Sequence, residues 1–213
     1  MKLISTYLGI VMLSFSVFTI AENGYATSLT DGNEWKLRKD KNDIKVYTRT
    51  HTDTGIVECK IETTVKTEIS KLVKTINNVE NYPAWMNKCE SASVFNKIND
   101  SLRIDYIITA VPWPMKDRDI VLEYRTVSNN NEHYEATINA ITELIPEKEN
   151  IVRVKEAKGS WVFNKIDKNT VEITYQYYGD PGRNIPSWLI NMFIVNGPYE
   201  TVLNLKEQCS LYE

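Results

Sequence analysis

The segment Trp188-Leu189-Ile190-Asn191-Met192-Phe193-Ile194-Val195 has a single polar side chain, Asn191. It follows Pro186, which fits the first turn of a helix because the N–H that proline lacks would be unbonded there. A helix apolar nearly all round must be covered on most sides. Gly197-Pro198 interrupts the pattern and predicts a kink, since proline removes a helical hydrogen bond and crowds the turn before it. Beyond it the pattern is amphipathic, with Val202, Leu203 and Leu205 set against Glu200, Asn204, Lys206 and Glu207. The rest of the chain must supply the cover for this helix.

That cover reads as β-structure. Trp35–Asp40 and Ile44–Arg49 form two short strands around the turn formers Lys41-Asn42-Asp43, and Ile56–Val65 a third. Ile69, Leu72, Val73 and Ile76 recur at helical spacing up to Asn77-Asn78. Tyr82, Trp85 and Met86 cluster around Pro83. Leu102–Ala110 alternates apolar with polar residues until Pro112-Trp113-Pro114 stops it. Further strands are expected at Ile120–Val127, Tyr134–Ile141, Ile151–Phe163 and Val171–Tyr177, with turns at Asn129-Asn130-Asn131 and Pro146–Asn150. Strands, a helix, a long run of strands and one last helix give an α+β chain with an antiparallel sheet covered by the terminal helix.

Residues 1–21 carry Met1-Lys2 and then an uncharged apolar run from Leu3 to Ile20, the pattern of a cleaved secretory signal. An uncleaved anchor is the alternative. Residues 22–33 read as a polar spacer and 34–213 as one domain. Export implies a periplasmic or secreted protein. The length of 213 residues leaves room for a core and an internal cavity. A net charge of −3 gives no basic footprint for nucleic acid. Cys59, Cys89 and Cys209 match no zinc spacing and read as three unpaired thiols, with a Cys59–Cys89 bridge as the alternative. No cofactor or metal site is expected. His51 and His133 lie in polar stretches, away from any catalytic order of residues.

Several motifs resemble those of START lipid-transfer domains, of the helix-grip superfamily. They are Ile44–Arg49 after Trp35, Pro112-Trp113-Pro114 followed by Arg118-Asp119-Ile120-Val121, and Gly159-Ser160-Trp161. Tyr175-Gln176-Tyr177-Tyr178-Gly179-Asp180-Pro181-Gly182, then Ile185-Pro186-Ser187-Trp188, is similar to a junction found in bacterial members, with Arg183 in place of a second glycine. The resemblance runs from about Trp35 to Glu207. It implies a helix-grip fold, a curved antiparallel sheet wrapped around a long C-terminal helix with an internal apolar cavity. It also implies binding of one lipid, sterol or other apolar molecule, without a chemical reaction.

A ligand cavity needs apolar walls and a few orienting polar groups. The expected walls are Tyr106, Ile108, Trp161, Tyr175, Tyr177, Trp188, Met192, Val195 and Tyr199. The resemblance places Asp105 inside the cavity, with Tyr124 where relatives carry a basic partner. Alternation on the strand sets Asp105 against Tyr106 and Ile108, so the two readings compete. Arg118 and Asp119 are expected to serve structure. The loop Val111–Asp117 is the expected gate, with Pro112, Trp113, Pro114 and Met115 at its tip. A monomeric lipid binder with transient membrane contact follows. The alternatives are a helix-grip enzyme, a cyclase or hydrolase, and a protein-interaction module using the groove.

Overall fold

The structure, a computed structural model, describes residues 34–51, 55–180 and 186–210, without the side chains of residues 187, 188 and 210. The signal expected at 1–21 and the spacer at 22–33 lie outside the described residues. Among those described, no helix is long and apolar enough to cross a membrane.

Three strands open the domain: β1 (Lys36–Lys41), β2 (Ile44–Thr50) and β3 (Val57–Lys66). Asn42 and Asp43 join the first two with φ of 56° and 57°, the left-handed pair that a two-residue hairpin turn requires. Helix α1 (Ile69–Asn77) buries Ile69, Leu72 and Ile76 as its spacing predicts. A 3-10 helix, Val79–Ala84, contains Pro83. Then come β4 (Cys89–Asn99), β5 (Leu102–Thr109), β6 (Asp117–Asn129), β7 (His133–Ala140), β8 (Ile151–Arg153), β9 (Ala157–Asp167) and β10 (Thr170–Gly179).

The sheet runs β1-β2-β3-β10-β9-β7-β6-β5-β4. All of these pairings are antiparallel, and short β8 lies parallel to β6. Two elements depart from the sequence reading. Strand β4 was not expected; it is an edge strand whose apolar residues do not alternate, and its register shifts three times against β5. Ile151–Phe163 is two strands, because Val154 donates to the Asp119 carbonyl at 2.8 Å before the chain crosses to pair with β7.

The terminal helix is α2 (Ser187–Asn191), a π-helical turn at Met192–Asn196, and α3 (Gly197–Ser210). Gly197 donates its N–H to the Met192 carbonyl five residues back. The expected interruption at Gly197-Pro198 is therefore met by a wider turn. Pro198 has no N–H for Ile194, and its ring would crowd that carbonyl in an α-turn. A Cβ on Gly197 would lie 2.6 Å from the Met192 oxygen, so this turn demands glycine.

Helix α3 and α1 close a solid core. Val46, Ile61, Phe163, Ile173, Leu72, Ile76, Val202 and Leu205 are fully buried there. Each such side chain contributes about 1.5–3 kcal/mol on leaving water. The π-helical turn precedes α3 and borders a space that the core does not fill.

Candidate functional site

Between the concave sheet face and the terminal helix lies a cavity of about 150 Å3. Alternate residues of each strand line it, as strand geometry dictates. Strand β5 gives Asp105, Ile107 and Thr109, and β6 gives Arg118, Ile120, Leu122 and Tyr124, with Asp119 added out of alternation where the strand begins. Ile138, Trp161, Tyr175 and Tyr177 continue the wall across β7, β9 and β10. Met192, Phe193 and Ile194, all in the π-helical turn, face them. Trp161 and Tyr175 are direct cross-strand partners, stacked at 4.0 Å between ring centroids. Tyr177 stacks on Tyr175 at 6.4 Å. Its hydroxyl lies 2.6 Å from where a Cβ on Gly179 would stand, so the bare glycine makes room for that ring.

One end of the cavity carries a buried ion pair. Arg103 Nε donates to both carboxylate oxygens of Asp105 at 2.9 Å. The same guanidinium donates to Asn77 Oδ1 at 2.6 Å and to the Ile76 carbonyl at 3.3 Å, at the end of α1. It lies 3.7 Å from the centre of the Tyr124 ring. Burial pushes the Asp105 carboxyl up to about 6, against the opposing pull of Arg103. The basic partner is not at the position of Tyr124. It is Arg103, two residues before Asp105 and so on the same strand face, with Tyr124 packed against it.

Arg118 lines the opposite end, in register with Thr109. Its side chain is 4% exposed. Nη1 donates to the Lys116 carbonyl, while Nε is buried without a partner. Burial holds this guanidinium below its ordinary range, against the opposing influence of the Asp117 carboxylate. Asn87 and Lys88 line the cavity beside it. Both members of the Arg-Asp pair contact structural groups, Arg118 through one nitrogen at the Lys116 carbonyl and Asp119 through a fuller set. That carboxylate accepts from Arg153 Nε and Nη2 at 2.8 and 2.9 Å and from the Tyr106 hydroxyl at 2.8 Å. Burial raises its pKa, but these donors outweigh burial and hold it below the usual carboxylate range.

Four expected wall residues are placed elsewhere, and a fifth, Trp188, cannot be placed. Tyr106 and Ile108 lie on the outer face of β5, with Lys148 4.9 Å from the Tyr106 ring centre. The loop between β7 and β8 covers this face, where Arg153 donates to the Ile145 carbonyl, so apolar residues are favoured outside as well as inside. Val195 is half-buried and outside the lining, whereas Ile194 is 2% exposed and inside it. The extra residue of the π-helical turn shifts the helical phase by one position. Tyr199 turns to the first hairpin, where Asn42 Nδ2 donates to its hydroxyl at 2.9 Å and Lys39 lies 3.5 Å from its ring centre. The side chain of Trp188 is outside those described.

The loop between β5 and β6 starts and ends at the cavity lining, at Thr109 and Arg118. Val111 donates to Asp117 Oδ1 at 2.8 Å and closes its base. Pro112 and Pro114 are exposed, Met115 is half-buried, and Trp113 is 90% exposed. All three cysteines are buried free thiols, so no Cys59–Cys89 bridge forms. His51 is 3.0 Å from Glu58 Oε2 and His133 is 2.8 Å from Asn164 Oδ1, both outside the cavity. Among the described residues no cluster of His, Cys, Asp and Glu could hold a metal ion.

The START domain model matches residues 19–210. An uncharacterised protein of Pseudomonas aeruginosa is 27% identical over 93% of this chain and 95% of its own length. Rat phosphatidylcholine transfer protein is 25% identical over 85% of this chain and 86% of its own. Among solved structures, a StAR-related lipid transfer protein from Xanthomonas axonopodis superposes with a TM-score of 0.75 at 29% identity, covering 84% of this chain and 99% of that one. The chain belongs to the START domain family, and its ten-stranded sheet with a C-terminal helix is the family's helix-grip fold.

Proposed function

We propose that this START-family chain binds one lipid molecule, without chemical conversion, and carries it between membranes as an exported monomer. The observation that carries this reading is the cavity: apolar and aromatic side chains on every wall, polar groups at its two ends, and a helix for a lid. The rat relative's name makes a phospholipid the first ligand class to test. At about 150 Å3 the cavity is below the roughly 300–1,000 Å3 of preformed ligand sites, so its walls must part to admit a lipid. The β5–β6 loop and the π-helical turn are the parts that move. Trp113, exposed at the loop tip, supplies an interfacial anchor of the kind tryptophan provides at membrane surfaces.

Native mass spectrometry of the purified protein, before and after organic extraction, tests the binding. A mass excess of one lipid per chain that extraction removes is expected. The absence of any lipid adduct, together with no saturable uptake of phospholipid, sterol or fatty-acid probes by the folded protein, would refute it. Trp113→Ala tests the loop. The residue is 90% exposed, so stability should change by less than about 0.5 kcal/mol while transfer from vesicles slows. Normal transfer by this variant removes the loop from the mechanism. N-terminal sequencing of protein from its native compartment tests export, with mature ends at Glu22 or Thr27 expected.

A further inference from the structure

We infer that Arg118 is the receptor for an anionic head group, a carboxylate or phosphate, on the amphiphile that the cavity takes. The inference rests on the lipid-binding reading and adds the chemistry of the ligand's polar end. Arg118 ends the apolar wall formed by Ile120 and Leu122 on β6. Its side chain is almost wholly buried, and its Nε–H has no acceptor. Every other buried guanidinium beside this wall is paired: Arg103 with Asp105, and Arg153 with Asp119. Among the described residues no carboxylate forms an ion pair with Arg118. Its neighbour Asp117 is engaged by the Val111 N–H.

A buried cation without a counter-charge is costly, and the cost is offset when an anion accepts from it. The depressed pKa of Arg118, caused first by burial, agrees with an uncompensated charge. Lys88 lines the same end, next to the loop base, where its carbonyl accepts from the Ala110 N–H at 2.8 Å. The Asp105 carboxylate stands four residues along β5 from Thr109, about 13 Å away at strand spacing. The loop end of the cavity thus carries Arg118 and Lys88, with the Asp119 carboxylate there taken up by Arg153 and the Tyr106 hydroxyl, while the other end is charge-neutral at the Arg103–Asp105 pair. An anionic head is favoured at the first, with its chain along the wall between.

The test compares ligands that differ only in the head. Hexadecanoate is set against hexadecanol, and a lysophosphatidate against the matching monoacylglycerol, at about pH 8, where carboxylates are ionised. Charge-assisted hydrogen bonds of this kind give an expected preference for the anion of about tenfold to a hundredfold. Arg118→Met should abolish the preference, leave hexadecanol affinity within about twofold, and keep or raise the melting temperature, because it removes an unpaired buried charge. Equal affinity for hexadecanoate and hexadecanol in the wild type overturns the inference. So does a preference that survives in Arg118→Met, or a variant that fails to fold, since the arginine would then serve the structure. Inorganic phosphate that binds as tightly as lysophosphatidate would mark a site for free anions and overturn the amphiphile. If neither hexadecanol nor hexadecanoate binds, the lipid-binding reading falls, a failure distinct from loss of head-group preference alone.

Discussion

Asp105→Asn should change how stability depends on pH. In the native protein burial, helped by the nearby Glu80 carboxylate, acts on this carboxyl against Arg103. Burial against the cavity wall favours the protonated form, and two contacts from one Arg103 nitrogen favour the charged form. Burial wins, and the carboxyl rises from 3.8 to about 6. A group raised in the folded state binds its proton more tightly folded than unfolded. Its contribution is fully present below the unfolded value near 3.8 and is lost as pH rises through about 6. The span corresponds to on the order of 3 kcal/mol. Asparagine keeps the shape and cannot ionise, so it escapes this loss. Urea unfolding of both proteins, followed by tryptophan fluorescence from about pH 4 to about pH 7, reads the difference. The variant should gain on the wild type by on the order of 3 kcal/mol across that window. Parallel pH profiles would refute the reasoning. A variant that loses ground as pH rises would show that the Arg103 pairing, not burial, governs the carboxyl.

Three further outcomes follow from particular contacts. Arg153→Ala strands the Asp119 carboxylate in a site where both partners are at most 1% exposed, and should cost about 3–5 kcal/mol in denaturant unfolding. Gly197→Ala forces a Cβ to within 2.6 Å of the Met192 carbonyl and should lower stability by about 1–3 kcal/mol, measured by thermal unfolding. Cys59 is fully buried, with its thiol pushed up to about 12, so iodoacetamide at neutral pH should leave it unmodified until the protein is unfolded. Peptide mapping after a timed pulse distinguishes the two states.

Much of this architecture can be read in the sequence because simple periodicity survives in it. Val171, Ile173, Tyr175 and Tyr177 alternate cleanly, and all four face inward. The apolar residues around Met192 do mark the lid. Strand β5 misleads for a physical reason. Its apolar residues Ile104, Tyr106 and Ile108 face a side covered in part by the β7–β8 loop. Its inward face carries Arg103 and Asp105, whose charges are satisfied by each other and by the end of α1. Alternation reports which face is apolar, not which face is inside. Val195 fails for a separate reason, since a π-helical turn breaks the 3.6-residue count on which a helical face is drawn. Arg118 was legible as half of an Arg-Asp pair. Its isolation from any carboxylate depends on Asp119 finding Arg153 thirty-four residues away, a pairing that only the fold creates.

Strand β4 bears on self-association. An open sheet leaves a row of backbone donors and acceptors along each outer strand, a template on which another copy of the chain could build. Here that strand is eleven residues long and exposes Phe95 and Ile98 by more than half. Those are the ingredients of edge-to-edge aggregation. The three register shifts, between Cys89 and Ser91, Val94 and Asn96, and Lys97 and Asn99, prevent a straight ladder from forming on it. Lys97, next to Ile98, adds a charge between the two apolar side chains that an incoming strand would have to bury. The irregularity that hid this strand from periodicity thus also disfavours a regular ladder along its long, exposed edge.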